Sequence, residues 1–313
     1  MRNFLLHPNK IAILFILFST ASFAVQDLFV KILSKSGSIW QLMFLRSLIV
    51  VILLLIWPFL TRNFKTIKPN KWWWAIIRAI FMSLAYTLFY GSLPFVSLSK
   101  AASCFFLAPI LVCLLATIFL KEVIGIWRIS AVIVGFLGVL MIVQPVTSNA
   151  QPILVLPILA ASFFAFGIII TRGWCRDEPN FSLTIIHNIF YALLGLFIIS
   201  FIPFSKLDLT LQQSNPFLFS GWLPLSELII FLTFATAVTH IIGMTTSISA
   251  YKLSQVSLIA PFEYCYLVFC AIIDYYIFNI IPSWLVVLGI SLIISSGVLL
   301  SIRENIAKKK SPS

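Results

Sequence analysis

The chain has 313 residues, of which 61% are hydrophobic and only 10% charged, with a formal net charge of +12. Charged residues make up about 25% of ordinary soluble domains, so that class is excluded; a mean hydropathy of +1.09 points to a polytopic membrane protein. The basic excess is not a nucleic-acid footprint, because Lys and Arg lie scattered between apolar runs instead of on one segment.

A helix needs about 20 apolar residues to cross a bilayer. Runs of that kind fall near 10–33, 39–60, 73–94, 100–120, 127–144, 152–172, 182–203, 226–250, 254–278 and 283–302. The first begins like a signal peptide: Arg2 and Lys10 precede Ile11–Phe18, and Ser22-Phe23-Ala24 resembles a cleavage site. Its apolar character continues through Val25 and Phe29 to Leu33, which favours an uncleaved first span. Turn signals separate the later runs: Ser36-Gly37, Pro69-Asn70, Lys121-Glu122, Gln144-Pro145, Asp177-Glu178-Pro179, Asn215-Pro216 and Pro282-Ser283. The stretch 204–225 is long, aromatic and partly apolar, and reads as interfacial.

Loop charge sets the orientation. With a cytoplasmic N-terminus, Arg62, Lys65, Lys68, Lys121, Arg128, Arg172, Arg176 and Lys252 all fall inside, against Lys35, Lys100 and Lys206 outside. That is a positive-inside pattern, which predicts a multi-pass protein of the cell (inner) membrane with both termini cytoplasmic. Tryptophans such as Trp40, Trp57, Trp127, Trp222 and Trp284 sit near span ends, as an aromatic belt requires. Cys104, Cys113, Cys265 and Cys270 lie in apolar runs and Cys175 in a polar loop. No CxxC or zinc spacing is present, so neither a structural disulfide nor a metal site is expected.

The first five runs are echoed by the second five. Lys31 and Arg46 stand fifteen apart, as do Arg172 and His187. Leu98-Ser99-Lys100 is answered by Leu253-Ser254-Gln255, and Gly138-Val139-Leu140 by Gly297-Val298-Leu299. The order of these matches predicts a duplication, with units at 10–145 and 152–303. An odd number of spans per unit inverts the second copy, a recurrent build of secondary transporters.

At these residues the chain resembles the drug/metabolite transporter superfamily, specifically its ten-span EamA type. The resemblance rests on Asp27-x3-Lys31-x14-Arg46, Arg78, Gly91-Ser92-Leu93-Pro94, Ser99-Lys100-Ala101-Ala102, Pro109 and Leu120-Lys121-Glu122. The second unit adds Thr171-Arg172, Ala260-Pro261-Phe262-Glu263-Tyr264, Ile277-Phe278-Asn279 and Pro282. The pattern is similar to the branch with S-adenosylmethionine uptake carriers. The resemblance implies ten transmembrane helices in two inverted five-helix repeats. It departs where the family often has Gly-Glu after the ninth span, since this chain reads Asn279-Ile280 while keeping Glu122.

A charge inside a span costs at least about 2.5–3.5 kcal/mol and usually faces the bundle interior or a watery cavity. Asp27 and Arg46 each lie about 10 Å below the same end of adjacent spans, at 1.5 Å per residue. A pair between them reads first as a structural clamp holding the two spans together, and otherwise as a gate or as a contact of Arg46 with a solute carboxylate, for which bidentate geometry is available. Glu263 lies near mid-membrane beside Pro261, where a broken helix next to a charge could form a site; alternatively it is a buried glutamate paired with Lys252 or Arg46. His240 reads as an interhelical hydrogen-bonder or a proton relay. Tyr86, Tyr90, Tyr264 and Tyr266 suit an amphipathic cavity wall or plain packing. Asp274 reads as a residue reaching the interface, Glu122 as an interface salt-bridging residue, and Gly135, Gly138, Ser291 and Ser295 as helix-packing positions. Candidate solute or coupling residues are therefore Asp27, Arg46, Tyr86, Tyr90, His240, Glu263 and Tyr264.

No P-loop exists, so ATP is not the direct energy source, and no HExxH or G-x-S-x-G signature argues for an intramembrane enzyme. The expected function is secondary transport of a small polar metabolite, with S-adenosylmethionine or an amino-acid-like solute suggested by the resemblance. An exporter of amino acids or drugs on the same fold is the alternative. The expected partners are a small-molecule solute, the lipid bilayer and a coupling proton or counter-substrate, with no cofactor and no nucleic acid.

Overall fold

Long uncharged runs rich in Leu, Ile, Phe and Ala become helices because in lipid every backbone N–H and C=O must be satisfied within its own segment. The computed structural model describes residues 8–33, 37–92, 101, 104–143, 152–204, 216–279, 281 and 283–310, and all the regular structure among them is helical. Lys35, Ser36, Lys100, Gln144-Pro145, Lys206 and Pro282, with Arg2 and Leu98-Ser99, lie outside the described residues.

The first half contains α1 (Pro8–Leu33), α2 (Ile39–Thr61), α3 (Trp72–Ser92), α4 (Ala108–Phe119) and α5 (Ile126–Val143). The second contains α6 (Val155–Gly173), α7 (Asn180–Phe201), α8 (Glu227–Leu253), α9 (Cys265–Phe278) and α10 (Trp284–Lys310). Among the described residues, seven helical stretches are long and apolar enough to cross a membrane, and three shorter apolar helices accompany them. Each expected run has a helix at its place. The 204–225 stretch contains, within its described part, only the single-turn helix Pro216–Phe219.

Helix ends follow local chemistry. Ser226 starts α8, its hydroxyl accepting from the Ile229 N–H at 3.3 Å. Lys121 after α4 and Asn279 after α9 both adopt φ of 53°. A left-handed residue at each of these positions ends the helix before it.

The expected ninth span is not one continuous helix. Pro261 has no N–H to donate, and the chain breaks into a turn at Val256–Ile259, a 3-10 segment at Ala260–Tyr264, and then α9. Glu263 sits inside that tighter segment, beside the break.

The packing has a regular pattern. The most extensive pairings are α1 with α8, α3 with α6, α2 with α7, and α5 with α10; α4 packs on α6 and α1 on α9. Exchanging each helix of the first half with its counterpart in the second maps this set onto itself. Gly138 and Gly289 allow the closest approach: a Cβ on either would lie 2.7 or 2.6 Å from the other's carbonyl oxygen. Small residues let helices touch backbone to backbone in this way. Leu14 and Phe18 of α1, Ile52 and Ile56 of α2, and Leu193 and Phe197 of α7 are exposed, each pair spaced along one face as for contact with lipid.

Candidate functional site

A cavity of about 520 Å³ opens between α1, α3, α4, the segment before α9, and the start of α10. Its polar lining includes Ser19, Thr20, Gln26, Asp27, Tyr86, Tyr90, Glu263 and Tyr266; Phe23, Phe89, Phe105, Phe106 and Phe164 supply much of its apolar wall. It reaches Ile281 and Ser283, just before α10. Two carboxylates in an aromatic box suit an organic cation, because ring faces and carboxylates attract positive charge together.

Asp27 is held by two phenols. Tyr90 donates to its Oδ1 at 3.1 Å, and Tyr266 donates a short hydrogen bond to its Oδ2. The expected ion pair with Arg46 is not made: Arg46 Nε and Nη2 have no hydrogen-bond partner, and the carboxylate is held by the tyrosines. The two tyrosines from α3 and α9 reach the carboxylate first.

Arg46 instead lies 2% exposed with its guanidinium over the Tyr191 ring, 5.1 Å from the centroid. Around it stand Tyr86, His187 and His240, linked by ring contacts at 5.8 Å (Tyr86–His187), 5.9 Å (His187–His240) and 6.2 Å (Tyr86–Tyr191). His240 Nδ1 donates to Gln26 Oε1 at 3.2 Å, and His187 Nδ1 lies 3.4 Å from Ser83 Oγ. His240 is thus an interhelical hydrogen-bonder, joining α8 to α1.

Glu263 reaches into the cavity, and Lys252, one of the two cations considered for it, is engaged elsewhere. Lys252 donates to the Glu178 carbonyl and, at 2.8 Å, to Asn180 Oδ1. Tyr264, expected beside Glu263 in the wall, is fully buried against Phe106 and Gly135, away from the cavity. Tyr266, two positions on, faces the cavity in its place.

The opposite end is closed by ties between the halves. Glu178 accepts from the backbone N–H groups of Asn70 at 2.6 Å and Lys71 at 3.0 Å, just before α3. Glu122 accepts from the N–H groups of Val256 at 3.1 Å and Ser257 at 3.3 Å, and from the Ser257 hydroxyl at 2.8 Å. Each carboxylate thereby caps a helix start in the other half, where orphan N–H groups and the helix dipole favour negative charge. Glu122, expected in a salt bridge, is thus a helix cap. Arg172 Nη1 donates to the Lys252 carbonyl at 2.5 Å, and Trp74 stacks on Trp174 at 4.8 Å. Behind them the Arg78 Nε donates to Thr171 Oγ1 at 2.7 Å.

Asp27, Tyr86, Tyr90 and Glu263 are therefore brought together on one cavity, with Arg46 and His240 just behind Tyr86. Gln26, His187 and Tyr191 were missed, and Tyr266, weighed with the other tyrosines as a cavity-wall residue, was left off the candidate list in favour of Tyr264. His187 carried a readable signal as the repeat counterpart of Arg46, and Gln26 as a polar neighbour of Asp27 inside a span.

Residues 10–144 match the EamA-like transporter family. An uncharacterized transporter of Helicobacter pylori is 26% identical over 290 residues, covering 92% of this chain and 93% of that protein. An S-adenosylmethionine uptake transporter of Rickettsia bellii is 26% identical over 309 residues, covering 98% of this chain and 99% of that one. Another, of Rickettsia prowazekii, is 25% identical over 289 residues, covering 92% and 91%. A crystal structure at 14% identity superposes with a TM-score of 0.76, covering 96% of this chain and 99% of that one. The fold is shared at that level.

Proposed function

We propose that this multi-pass membrane protein, whose residues 10–144 form an EamA-family transporter domain, is a secondary carrier for a small cationic or zwitterionic metabolite. S-adenosylmethionine, or another amino-acid-like solute, is the best single candidate. The observation that carries the reading is the aromatic cavity bearing two carboxylates, Asp27 and Glu263. A sulfonium or ammonium group gains from both the ring faces and the negative charge there. The names of the Rickettsia relatives point to the same solute class.

The mechanism is alternating access between halves 10–145 and 152–303, ten crossings in all, with both termini cytoplasmic in the inner membrane. The exchange symmetry of the packing and the paired left-handed residues Lys121 and Asn279 support the repeat. On this topology the cavity reaches the outer side at Ile281 and Ser283, while Glu122 and Glu178 close the inner side. The conformation is outward-facing. Solute settling against Asp27 and Glu263 draws the walls together and exchanges the outer opening for an inner one; a proton or counter-substrate resets the cycle.

The test is uptake of labelled S-adenosylmethionine into proteoliposomes, with counterflow as the control for carrier action. Glu263→Gln is expected to lower transport at least tenfold at an equal protein level, because a hydrogen bond to an ionised group contributes about 1.5–3 kcal/mol. Neither uptake nor counterflow in the wild type sinks the substrate assignment. Unchanged transport in the variant removes Glu263 from the site.

A further inference from the structure

We propose that Arg46 forms a carboxylate-binding subsite behind Tyr86, which takes the acid end of the solute while the cavity holds its cationic end. The inference rests on the carrier reading and deepens it. Its starting point is an unsatisfied set of buried polar atoms. Arg46 Nε and Nη2, Tyr191 Oη and His240 Nε2 are fully enclosed and reach no hydrogen-bond partner.

Native interiors rarely leave such groups unpaired, and a guanidinium is the most costly of them to strand. Nε and Nη2 are the two donors along one edge of the guanidinium plane. That edge holds both oxygens of a carboxylate in parallel hydrogen bonds. Tyr191, whose ring lies under the same guanidinium, adds a hydroxyl donor. Asp27 does not satisfy that edge: its oxygens accept from Tyr90 and Tyr266, and neither Nε nor Nη2 of Arg46 has a partner. The donor edge is left for an incoming group.

Tyr86 connects this nest to the cavity. Its ring lines the cavity, and it also contacts the rings of His187, Tyr191 and His240. A turn of that one side chain would join the two spaces. A zwitterion then has a complementary site at each end: Asp27 and Glu263 for its cation, Arg46 for its carboxylate. A simple cation would leave the guanidinium stranded.

The test uses ligand pairs that differ only at the acid: S-adenosylmethionine against its decarboxylated analogue, and L-methionine and L-lysine against their amides. Thermal stabilisation of the detergent-purified protein is read across a concentration series. In the wild type the acid of at least one pair is expected to act at about tenfold lower concentration than its partner, as loss of a charge-assisted hydrogen-bond pair implies. Arg46→Gln should abolish that difference. Arg46→Lys, which keeps the charge without the two-pronged edge, should shrink it while preserving the fold as judged by gel filtration. Discrimination of methionine or lysine from its amide, with neither S-adenosylmethionine nor its decarboxylated analogue binding, supports the subsite and retires S-adenosylmethionine as solute. Binding of S-adenosylmethionine and its decarboxylated analogue with equal strength overturns the subsite and leaves the cationic cavity standing. No discrimination in any pair overturns it outright, as does discrimination that survives Arg46→Gln.

Discussion

Glu178→Gln tests whether the carboxylate caps hold the inner end shut. Glu178 is 4% exposed, and its two oxygens accept from Asn70 and Lys71 at 2.6 and 3.0 Å. The amide keeps one acceptor and loses the charge, so the closed form should lose about 1.5–3 kcal/mol. That corresponds to a rise of about 10- to 150-fold in the open-to-closed ratio. Cys175 reports it: the residue is 0% exposed, just after Trp174, and burial above all holds its thiol up at about 11. In a variant retaining only this cysteine, maleimide reacts through the open form, and the labelling rate follows its population. The rate in sealed inside-out vesicles should rise at least tenfold in Glu178→Gln. Removing the Glu178 charge also lowers the thiol's pKa, since that carboxylate adds to the upward shift. Glu122→Gln controls for this, because Glu122 loosens the same end without being among the charges acting on the thiol. An increase in Glu178→Gln alone is electrostatic. No increase in either variant refutes the idea that these caps set the closed state.

Tyr266→Phe removes one of two donors to the half-buried Asp27 carboxylate and should cost about 1.5–3 kcal/mol, read as a lower melting temperature in detergent. In an Asp27→Asn background the same change should cost less than half as much; equal costs would mean that the two residues do not act as a pair. Gly138→Ala should lower the melting temperature, because its methyl would meet the Gly289 carbonyl at 2.7 Å, and overpacking of this kind typically costs about 1–3 kcal/mol. Gly221→Ala, whose methyl would have no neighbour nearer than 3.7 Å, is the matched control and should melt like the wild type.

The helices were legible because lipid permits little else: a long apolar run has only one way to satisfy its backbone. The break at Pro261 was legible for the same local reason. The identity of the cavity-facing tyrosine was not. A 3-10 segment advances about three residues per turn, not 3.6, so it resets the phase of the helix that follows. That reset turns Tyr264 into packing and Tyr266 toward Asp27. The roles of Glu122 and Glu178 were hidden for another reason. All but one of their donors, the Ser257 hydroxyl, are backbone N–H groups more than a hundred positions away, and a backbone donor leaves no mark in a sequence.

Those two carboxylates also bear on which conformation the carrier prefers at rest. On the proposed inverted repeat, whatever closes one end has a counterpart position at the other. The counterpart of Lys121-Glu122 is Asn279-Ile280, which keeps the left-handed turn at its first residue but has no acid to cap the facing half. At the end that the proposed topology places outside, the start of α2 is instead tied by neutral contacts: Ser38 Oγ donates to the Ser220 carbonyl at 2.7 Å, and Gln41 Nε2 to the Leu223 carbonyl at 2.8 Å. Neutral hydrogen bonds contribute about 0.5–1.5 kcal/mol, roughly half of what charged ones do. With equal scaffolds and unequal caps, the inner end is the better closed of the two. Energy to shut the outer end must then come from outside the protein's own contacts. A solute bridging Asp27 and Glu263 on one wall and Arg46 on the other would supply it at the point where the walls meet. The asymmetric residues would thus both choose the solute and couple its arrival to the motion of the symmetric scaffold.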